Sequence, residues 1–400
     1  MIKKLVAFFV ILNCCPFVSS LIAGETQQTP KNFNERLNQA YRTVLSNDPA
    51  QGIALFEELL AANSNEWLIY DAYSQALKLR GNFDHVRQVY EKALLSQIPV
   101  ITPWRGEDIR HRIATLEQQK KFAGEMATAP SWQEAKVFGS QSFVVKTNIP
   151  DSYYYPVAQR IRDLIQKEKR LLEEIFGKSE KVLPLMNIYL FGRYPEYFDF
   201  MQAGLDERER RYPIYVRGYY DPERKIMAIY FDGTLDWEEI AHEMSHFLLK
   251  ELYVDEPSRW LNEGLAQYIS FEVEKDDSKT QIFGILEFLN WNYDQGALNG
   301  LDDFFHSWEK YEKEIFYNPF LLKHYLFYHL SWTLVHFFIE GGDSFYHDFF
   351  KHYLKVEQES GILTYASVKA YFDDNLSKEK LKELEDKWIK HTLNLTYDKV

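Results

Sequence analysis

The sequence predicts an α+β protein with three successive regions, and three patterns along the chain support this prediction. Apolar residues recur at helical spacing through residues 30–128, with turn residues between the helical stretches. Short runs rich in Val, Ile and aromatic residues then alternate with a long helical pattern over residues 134–300. Helical periodicity returns over residues 301–400. This order predicts helical hairpins, then a small mixed sheet, then a helical C-terminal subdomain.

Charge and composition restrict the partners of the chain. Its 400 residues carry a formal net charge of -13, and 46% of them are hydrophobic. An acidic surface repels the phosphate backbone of nucleic acids, so we expect no nucleic-acid partner. The hydrophobic fraction is ordinary for a globular protein, so it points to no particular function.

The N-terminus has the pattern of a secretory signal peptide. Lys3 and Lys4 give residues 1–4 a short basic region, residues 5–18 are almost wholly apolar, and small residues follow. We therefore predict a signal peptide over residues 1–20 and an exported protein, either periplasmic or secreted. Two alternatives stay open, a retained membrane anchor and lipidation at Cys14 or Cys15, and only these would bring the chain to a membrane. Because the chain has no other cysteine, any metal bound by the mature protein must use His, Asp or Glu.

Residues 30–128 contain two helical units that align at a shift of 34 residues. The segment that starts at Ser46 then matches the segment that starts at Arg80, and Phe56 falls on Tyr90. This period and the helix-turn-helix pattern resemble tetratricopeptide repeats. The resemblance implies a groove that binds a peptide or protein partner, and the alternative is a spacer that serves only for packing.

The sequence patterns of the next region predict the strands of a sheet and a helix between them. Three runs have the composition of strands, at residues 142–147, 188–191 and 226–231. Between the first two strands, a helix is predicted to begin at Pro156, whose fixed φ suits a first turn, and to end at Gly177. Residues 218–222 predict a turn before the third strand. Strand, helix, strand and strand in this order predict a small mixed sheet.

A pentapeptide of the form H-E-x-x-H follows the last predicted strand. Thr234 or Asp236 is the predicted cap of the helix that contains it, and His242 and His246 lie four positions apart, on one face of that helix. Two imidazoles so placed can bind one metal ion, and the adjacent Glu243 can accept a proton from a water on that ion. The alternative is that both histidines are ordinary helix residues.

Glu263 completes the predicted metal site. It lies 17 positions after His246, in the run W-L-N-E-G-L-A, and the residues between suffice for a turn and a returning helix. Two histidines, one glutamate and a water form the open tetrahedral site typical of catalytic zinc, whereas a structural zinc has four protein ligands. We therefore predict Zn2+ as the cofactor. The alternative for Glu263 is a carboxylate that caps its own helix.

The combination of H-E-x-x-H with a later N-E-G-x-A resembles the gluzincin branch of metallopeptidases. The runs W-L-N-E-G-L-A-Q-Y and Y-x-x-S-W-x-L-V-H-F are similar to the peptidase MA-like families of exported bacterial proteins, over residues 140–390. The resemblance implies that His242, His246 and Glu263 bind zinc. It also implies that Glu243 is the general base of a peptide hydrolysis.

The same resemblance implies a role for Tyr328 and reveals one departure. Tyr328 matches the tyrosine that stabilises the oxyanion in such enzymes, and the alternative is a core residue on an aromatic-rich helix. Gluzincins place an acidic residue four positions after the third ligand, where it orients a histidine ligand, but this chain has Gln267 there. An amide oxygen can still hold the ring, although it raises the basicity of the ligand less.

These features predict an exported zinc metallopeptidase that hydrolyses a peptide or protein substrate. In the predicted mechanism, zinc lowers the pKa of its water, Glu243 takes the proton, and zinc with a nearby donor stabilises the oxyanion. The alternative is a binding or scaffold protein, in which the repeats recruit a partner and the zinc domain is weakly active or idle. A third hypothesis is a zinc hydrolase with a substrate other than a peptide. The sequence does not indicate whether cleavage is internal or terminal.

Overall fold

The computed structural model describes residues 30–46, 48–64, 67–96, 103–204, 217–221, 224–255, 257–275, 322–360 and 364–395, with single positions between 282 and 305. The predicted signal peptide, residues 1–20, lies outside the described residues. Those residues form helices and one five-stranded sheet, so the predicted α+β class is confirmed. The chain divides into two compact units, Met1–Gly124 and Glu125–Val400. Within the described ranges, no helix combines the length and the hydropathy of a membrane span.

The first unit is built from helical hairpins. Its helices are α1 (Pro30–Leu45), α2 (Pro49–Ala62), α3 (Trp67–Leu79), α4 (Phe83–Leu95) and most of α5 (Pro103–Met126). α1 packs on α2 and α3 packs on α4, and α4 begins 34 positions after α2. Gly81 makes the turn between α3 and α4 with a φ of 72°, a conformation that favours glycine. The hairpins agree with the sequence, whereas their membership of the tetratricopeptide family stays a prediction.

The second unit contains the sheet. Its strands are β1 (Lys136–Gly139), β2 (Phe143–Thr147), β3 (Met186–Phe191), β4 (Gly218–Asp221) and β5 (Ile226–Tyr230), in the spatial order β1-β2-β3-β5-β4. The three central strands are parallel, and each edge strand is antiparallel to its neighbour. The predicted small mixed sheet is therefore confirmed, with β4 as one of its edges.

Two details of the predicted sheet region are wrong. Residues 218–222 are not simply a turn, because β4 pairs with β5 from Gly218 to Asp221. Pro156 does not begin its helix, since α6 spans Asp151–Phe176 and contains Pro156 in its second turn. A proline so near the helix start removes only one backbone hydrogen bond, so the helix continues to Gly177 as predicted.

Helices pack on the sheet and build the region of the metal site. α7 (Tyr194–Gly204), which the sequence does not predict, packs on β3 and β5. α8 (Trp237–Leu252) packs on β4, β5 and α6, α9 (Arg259–Val273) packs on α8, and α10 (Leu322–Glu340) packs on α9. The remaining helices are α11 (Ser344–Ser360), α12 (Tyr365–Asn375) and α13 (Lys378–Asn394). The two predicted regions 134–300 and 301–400 thus belong to one compact unit.

Candidate metal centre

The helix α8 places the H-E-x-x-H residues on its half-buried face. Of the two predicted caps, Asp236 is the one that caps it, because its carboxylate accepts a hydrogen bond from the Glu239 backbone N–H at 3.2 Å. Five apolar residues of α8 share one face and are buried in the core, namely Ile240, Ala241, Met244, Phe247 and Leu248. This helical spacing leaves His242 and His246 together on the opposite face, with their side chains 12% and 13% exposed.

Three side-chain atoms converge at this face in the geometry of a metal site. The Nε2 atoms of His242 and His246 lie 3.2 Å apart, and Glu263 Oε2 lies 3.4 Å from the first and 3.6 Å from the second. Zinc bond lengths of about 2.0–2.2 Å in a tetrahedral site place neighbouring ligand atoms about 3.4 Å apart. The structure therefore brings the three predicted ligands together at a spacing that fits one zinc ion.

Two carboxylates approach the histidine pair, and their hydrogen bonds distinguish them. Polar atoms of His242, Glu243 and His246 lie within 4.8 Å of one another, so this cluster can hold a metal ion. Glu243 Oε2, however, already accepts a hydrogen bond from the Tyr220 backbone N–H at 2.8 Å. Glu263 Oε2 is buried and accepts no hydrogen bond within the described part of the chain. A buried carboxylate oxygen without a hydrogen-bond donor is better suited to a metal ion than one that is already held by a backbone N–H.

Asn262 determines which nitrogen of His246 faces the site. The Nδ1 atom of His246 lies 3.0 Å from Asn262 Oδ1. An amide oxygen can only accept a hydrogen bond, so Nδ1 carries the proton and Nε2 presents its lone pair to the centre. A second hydrogen bond of this kind fixes the tautomer and the orientation of a metal-binding histidine.

Gln267 pairs with a carboxylate, although its amide oxygen could in principle hold a histidine ring. Its Nε2 atom donates a hydrogen bond to Glu238 Oε1 at 2.8 Å, and no hydrogen bond joins it to His242 within the described residues. Glu238 is buried and lies one turn before His242 on α8. The buried carboxylate near the histidines is therefore that of Glu238, on the same helix as the histidines. In gluzincins the corresponding acidic residue lies on the helix of the third ligand.

The pKa values of the two glutamates at the site are shifted in opposite directions. Burial would raise the pKa of Glu263, but the positive charge available on His246 and His242 outweighs it and lowers that pKa to about 2. Burial raises the pKa of Glu243 to about 7, although His246 and the hydrogen bond from Tyr220 act against it. Glu263 is therefore a permanent anion suited to a cation, and Glu243 can both take and release a proton near neutral pH.

Tyr328 lies beside the ligands, on α10. Its ring stacks against the His242 ring with the centroids 6.3 Å apart and the planes at 26°. Gly264, directly after the third ligand, permits this approach, because a Cβ there would lie 2.6 Å from the Ser331 carbonyl oxygen of α10. Burial, with the charge of Glu263, raises the pKa of Tyr328, so its hydroxyl stays protonated.

Residues outside the predicted set also shape the site. β4 is an edge strand, and its outward N–H groups are taken by two carboxylates of α8: Gly218 donates to Glu239 at 3.1 Å and Tyr220 donates to Glu243 at 2.8 Å. Asn262 had a signal in the sequence, because it lies one position before Glu263. The sequence gives no signal for the role of Tyr220, because its backbone N–H, and not its side chain, makes the contact with Glu243.

A buried network holds the start of α9, which carries Glu263. Ser258 is the N-cap residue of α9, yet its own side chain does not cap the helix. Instead, Glu357 of α11 accepts hydrogen bonds from the Ser258 backbone N–H at 2.9 Å, from the Ser258 hydroxyl and from the Tyr353 hydroxyl. Trp260 Nε1 donates to that same tyrosine oxygen at 3.1 Å. A carboxylate from another helix thereby caps the ligand-bearing helix.

Comparisons with known proteins do not identify this chain. No protein-family model matches it, and no curated protein matches it significantly. The resemblance to gluzincins therefore stays a prediction from the motifs, and the functional argument rests on the geometry of the site.

Proposed function

We propose that this protein is an exported zinc metallopeptidase, with His242, His246 and Glu263 as metal ligands and Glu243 as general base. One observation carries the proposal: the three candidate ligand atoms lie within 3.6 Å of one another, and the Glu263 oxygen among them is buried and accepts no hydrogen bond from the residues that the structure describes. Two imidazoles and a buried carboxylate oxygen without a hydrogen bond are costly to bring together unless they bind a ligand.

The donor set favours zinc with catalytic coordination. Two imidazole nitrogens and one carboxylate oxygen suit zinc, and three protein ligands leave a fourth position open. Zinc bound there would act as a Lewis acid and lower the pKa of a water at the open position. The protein's part is to hold the ligands, and Asn262 does so for His246 through the contact to Nδ1.

Glu243 is placed to move the proton. Its Oε2 is held by the Tyr220 backbone N–H, which leaves Oε1 to accept a proton from the attacking water. A pKa of about 7 suits a group that first takes this proton and then gives it to the leaving amine. Tyr328, protonated and stacked beside His242, supports the proposal as a donor to the oxyanion.

The peptide substrate and the export of the protein rest on the sequence. The gluzincin resemblance supports hydrolysis of an amide bond, and the N-terminal pattern of residues 1–20 supports export. The helical hairpins of the first unit support a role in recruiting a protein partner, as the tetratricopeptide resemblance implies.

Metal content is the first test. Native mass spectrometry after zinc-replete purification should find about one zinc per chain. His246→Ala should lose it, whereas His352→Ala, an exposed histidine on α11, should keep it. Zinc-free wild-type protein, or full zinc content in the His246 variant, would overturn the assignment of the site.

Catalysis is tested with Glu243→Gln. The amide fills the same space but cannot accept the proton, so the variant should keep zinc and lose hydrolysis by about 100- to 10,000-fold. The assay is cleavage of a broad peptide library, with a chelator as negative control and Glu359→Gln, an exposed residue, as matched variant. An unchanged rate would exclude Glu243 as the base. Zinc binding without any cleavage would instead favour the scaffold alternative.

A further inference from the structure

The five-stranded sheet has two edges, and they differ in how their backbone groups are used. At the β4 edge, carboxylates of α8 accept hydrogen bonds from the outward N–H groups of Gly218 and Tyr220. The opposite edge is β1 (Lys136–Gly139), whose neighbour in the sheet is β2, on one side only. An edge strand that is not covered presents N–H and C=O groups to which another strand can pair.

The register of the β1–β2 hairpin shows which backbone groups of β1 point outward. The Ser140 N–H donates to the Phe143 carbonyl oxygen at 2.9 Å, so this pair closes the hairpin with its backbone groups turned inward. Hydrogen-bonded and non-hydrogen-bonded pairs alternate along an antiparallel ladder, so Phe138 also turns inward, whereas Val137 and Gly139 turn outward. Neither outward residue makes a backbone hydrogen bond to another residue that the structure describes.

The side chains at the β1 edge are apolar. Val137 is 65% exposed, and the half-buried Phe138 ring stacks on Tyr154 with the centroids 4.0 Å apart. Tyr155 is 63% exposed and lies beside the same Phe138 ring, with the centroids 6.5 Å apart. The β1 edge therefore combines outward backbone groups with apolar side chains that water still reaches, which is the composition of a strand that pairs with another chain.

The single charged residue of β1 is neutralised within the chain. Lys136 Nζ lies 2.7 Å from Asp151 Oδ1, and both side chains are half exposed at the surface. Two β1 strands can therefore approach each other without bringing unpaired lysines together, although like charges directly opposite each other destabilise a strand pair.

We propose that β1 pairs antiparallel with the β1 strand of a second copy of this chain, so that the two sheets become one continuous sheet. The outward residues lie on either side of Phe138, so a two-fold axis at Phe138 places Val137 of each copy opposite Gly139 of the other. Each of these pairs exchanges two N–H···O=C bonds, and together they form four backbone hydrogen bonds. Phe138 then faces Phe138 of the second copy in a non-hydrogen-bonded pair, where aromatic side chains interact across strands. A second copy is the occupant because the edge is its own complement.

Self-association of the mature chain tests the proposal without zinc or substrate, so the outcome is independent of the proposed function. Four hydrogen bonds and a few apolar side chains correspond to a small interface, for which we expect a Kd on the order of 10–100 μM. Sedimentation equilibrium from about 5 to 500 μM should therefore show a monomer that converts to a dimer. A chain that stays monomeric over this range would overturn the proposal, even if the β1 edge then binds a strand of another protein.

Substitution of Val137 tests the backbone and the side chain of the edge separately. In Val137→Pro the missing N–H is an outward one, so the β1–β2 ladder keeps its hydrogen bonds and the fold should survive. Two of the four bonds between the copies are lost, so the dimer Kd should rise at least about 10-fold. Val137→Lys leaves the backbone unchanged, places a charge on the edge and should also weaken the dimer.

Val182→Lys is the matched control for the lysine variant. Val182 is also an exposed valine, at 90%, but it lies in the loop before β3, outside β1. Its replacement should leave the dimer Kd unchanged, and circular dichroism checks that each variant is folded. Equal dimer Kd values for Val137→Lys and Val182→Lys would overturn pairing through β1.

A disulfide tests the register of the pair, because the mature chain has no cysteine of its own. A non-hydrogen-bonded antiparallel pair has its Cα atoms about 4.5 Å apart, within the range that a disulfide spans. Phe138→Cys should therefore form a covalent dimer under mild oxidation, as measured by mass spectrometry. Val182→Cys should stay monomeric under the same conditions. No cross-link at position 138, or the same yield at both positions, would overturn the proposed pairing.

Discussion

Glu357, on α11, should control the stability of the unit that contains the candidate metal site, because it holds the start of α9. It is 1% exposed, and its carboxylate accepts hydrogen bonds from Ser258 and Tyr353 at the start of α9. Burial raises the pKa of Glu357, although the hydrogen bonds from Ser258 and Tyr353 act against it. We expect Glu357→Ala to destabilise the unit and to loosen the helix that carries Glu263.

The magnitude follows from the groups that the substitution leaves behind. The Ser258 backbone N–H loses its acceptor in a buried site, which costs about 1–3 kcal/mol. The truncated side chain leaves a cavity that adds about 1–2 kcal/mol. The two hydroxyls lie 3.0 Å apart and still bond each other, and Trp260 still donates to Tyr353, so these groups add little. Together these two terms come to about 2–5 kcal/mol, and we expect a loss of about 4 kcal/mol.

Thermal unfolding measures this effect. For a unit of this size, about 4 kcal/mol lowers Tm by roughly 10 °C. Glu359→Ala is the matched control, because Glu359 lies on the same helix, is exposed, and pairs with Lys355 at the surface. The zinc Kd, measured below the lower Tm, should also rise by about 10-fold in the Glu357 variant. Equal Tm values for the two variants would refute the argument that Glu357 caps α9.

Two further predictions concern α10. Gly264→Ala should cost about 1–3 kcal/mol and reduce turnover more than zinc affinity, because the new Cβ pushes α10 with Tyr328 away while the ligands stay on α8 and α9. Calorimetry and kinetics check this against Gly124→Ala, an exposed position with no neighbour to that Cβ, and equal losses of zinc affinity and turnover would contradict it. His336 is buried, and burial with the neighbouring His391 lowers its pKa from 6.5 to about 3. Below pH 6.5 the unfolded chain therefore binds a proton at this histidine, whereas the folded chain does not. Stability decreases as the pH is lowered, by about 2 kcal/mol at pH 5. His336→Gln should remove this part of the loss between pH 7.5 and pH 5 in denaturant unfolding, and an unchanged pH dependence would disprove it.

Local patterns allowed much of the fold and most of the candidate site to be predicted. Helical periodicity with an acidic cap predicted α8 correctly, because both signals lie within one helix. Spacings along the chain likewise suggested that His242, His246 and Glu263 converge, as the structure shows. The α+β class followed from the order of helical and strand patterns. These inferences needed only neighbours in the sequence and the fixed geometry of a helix.

Contacts between distant segments decided the rest. β4 forms because its backbone pairs with β5, and Gly218–Asp221 is too short to show a strand pattern of its own. Gln267 turns to Glu238, Tyr220 holds Glu243, and Glu357 caps a helix 99 positions earlier in the chain. Such hydrogen bonds depend on which surfaces the folded chain brings together. Because burial removes water from these groups, only the tertiary structure determines which partners satisfy them, and it leaves the Glu263 oxygen without a hydrogen bond among the described residues.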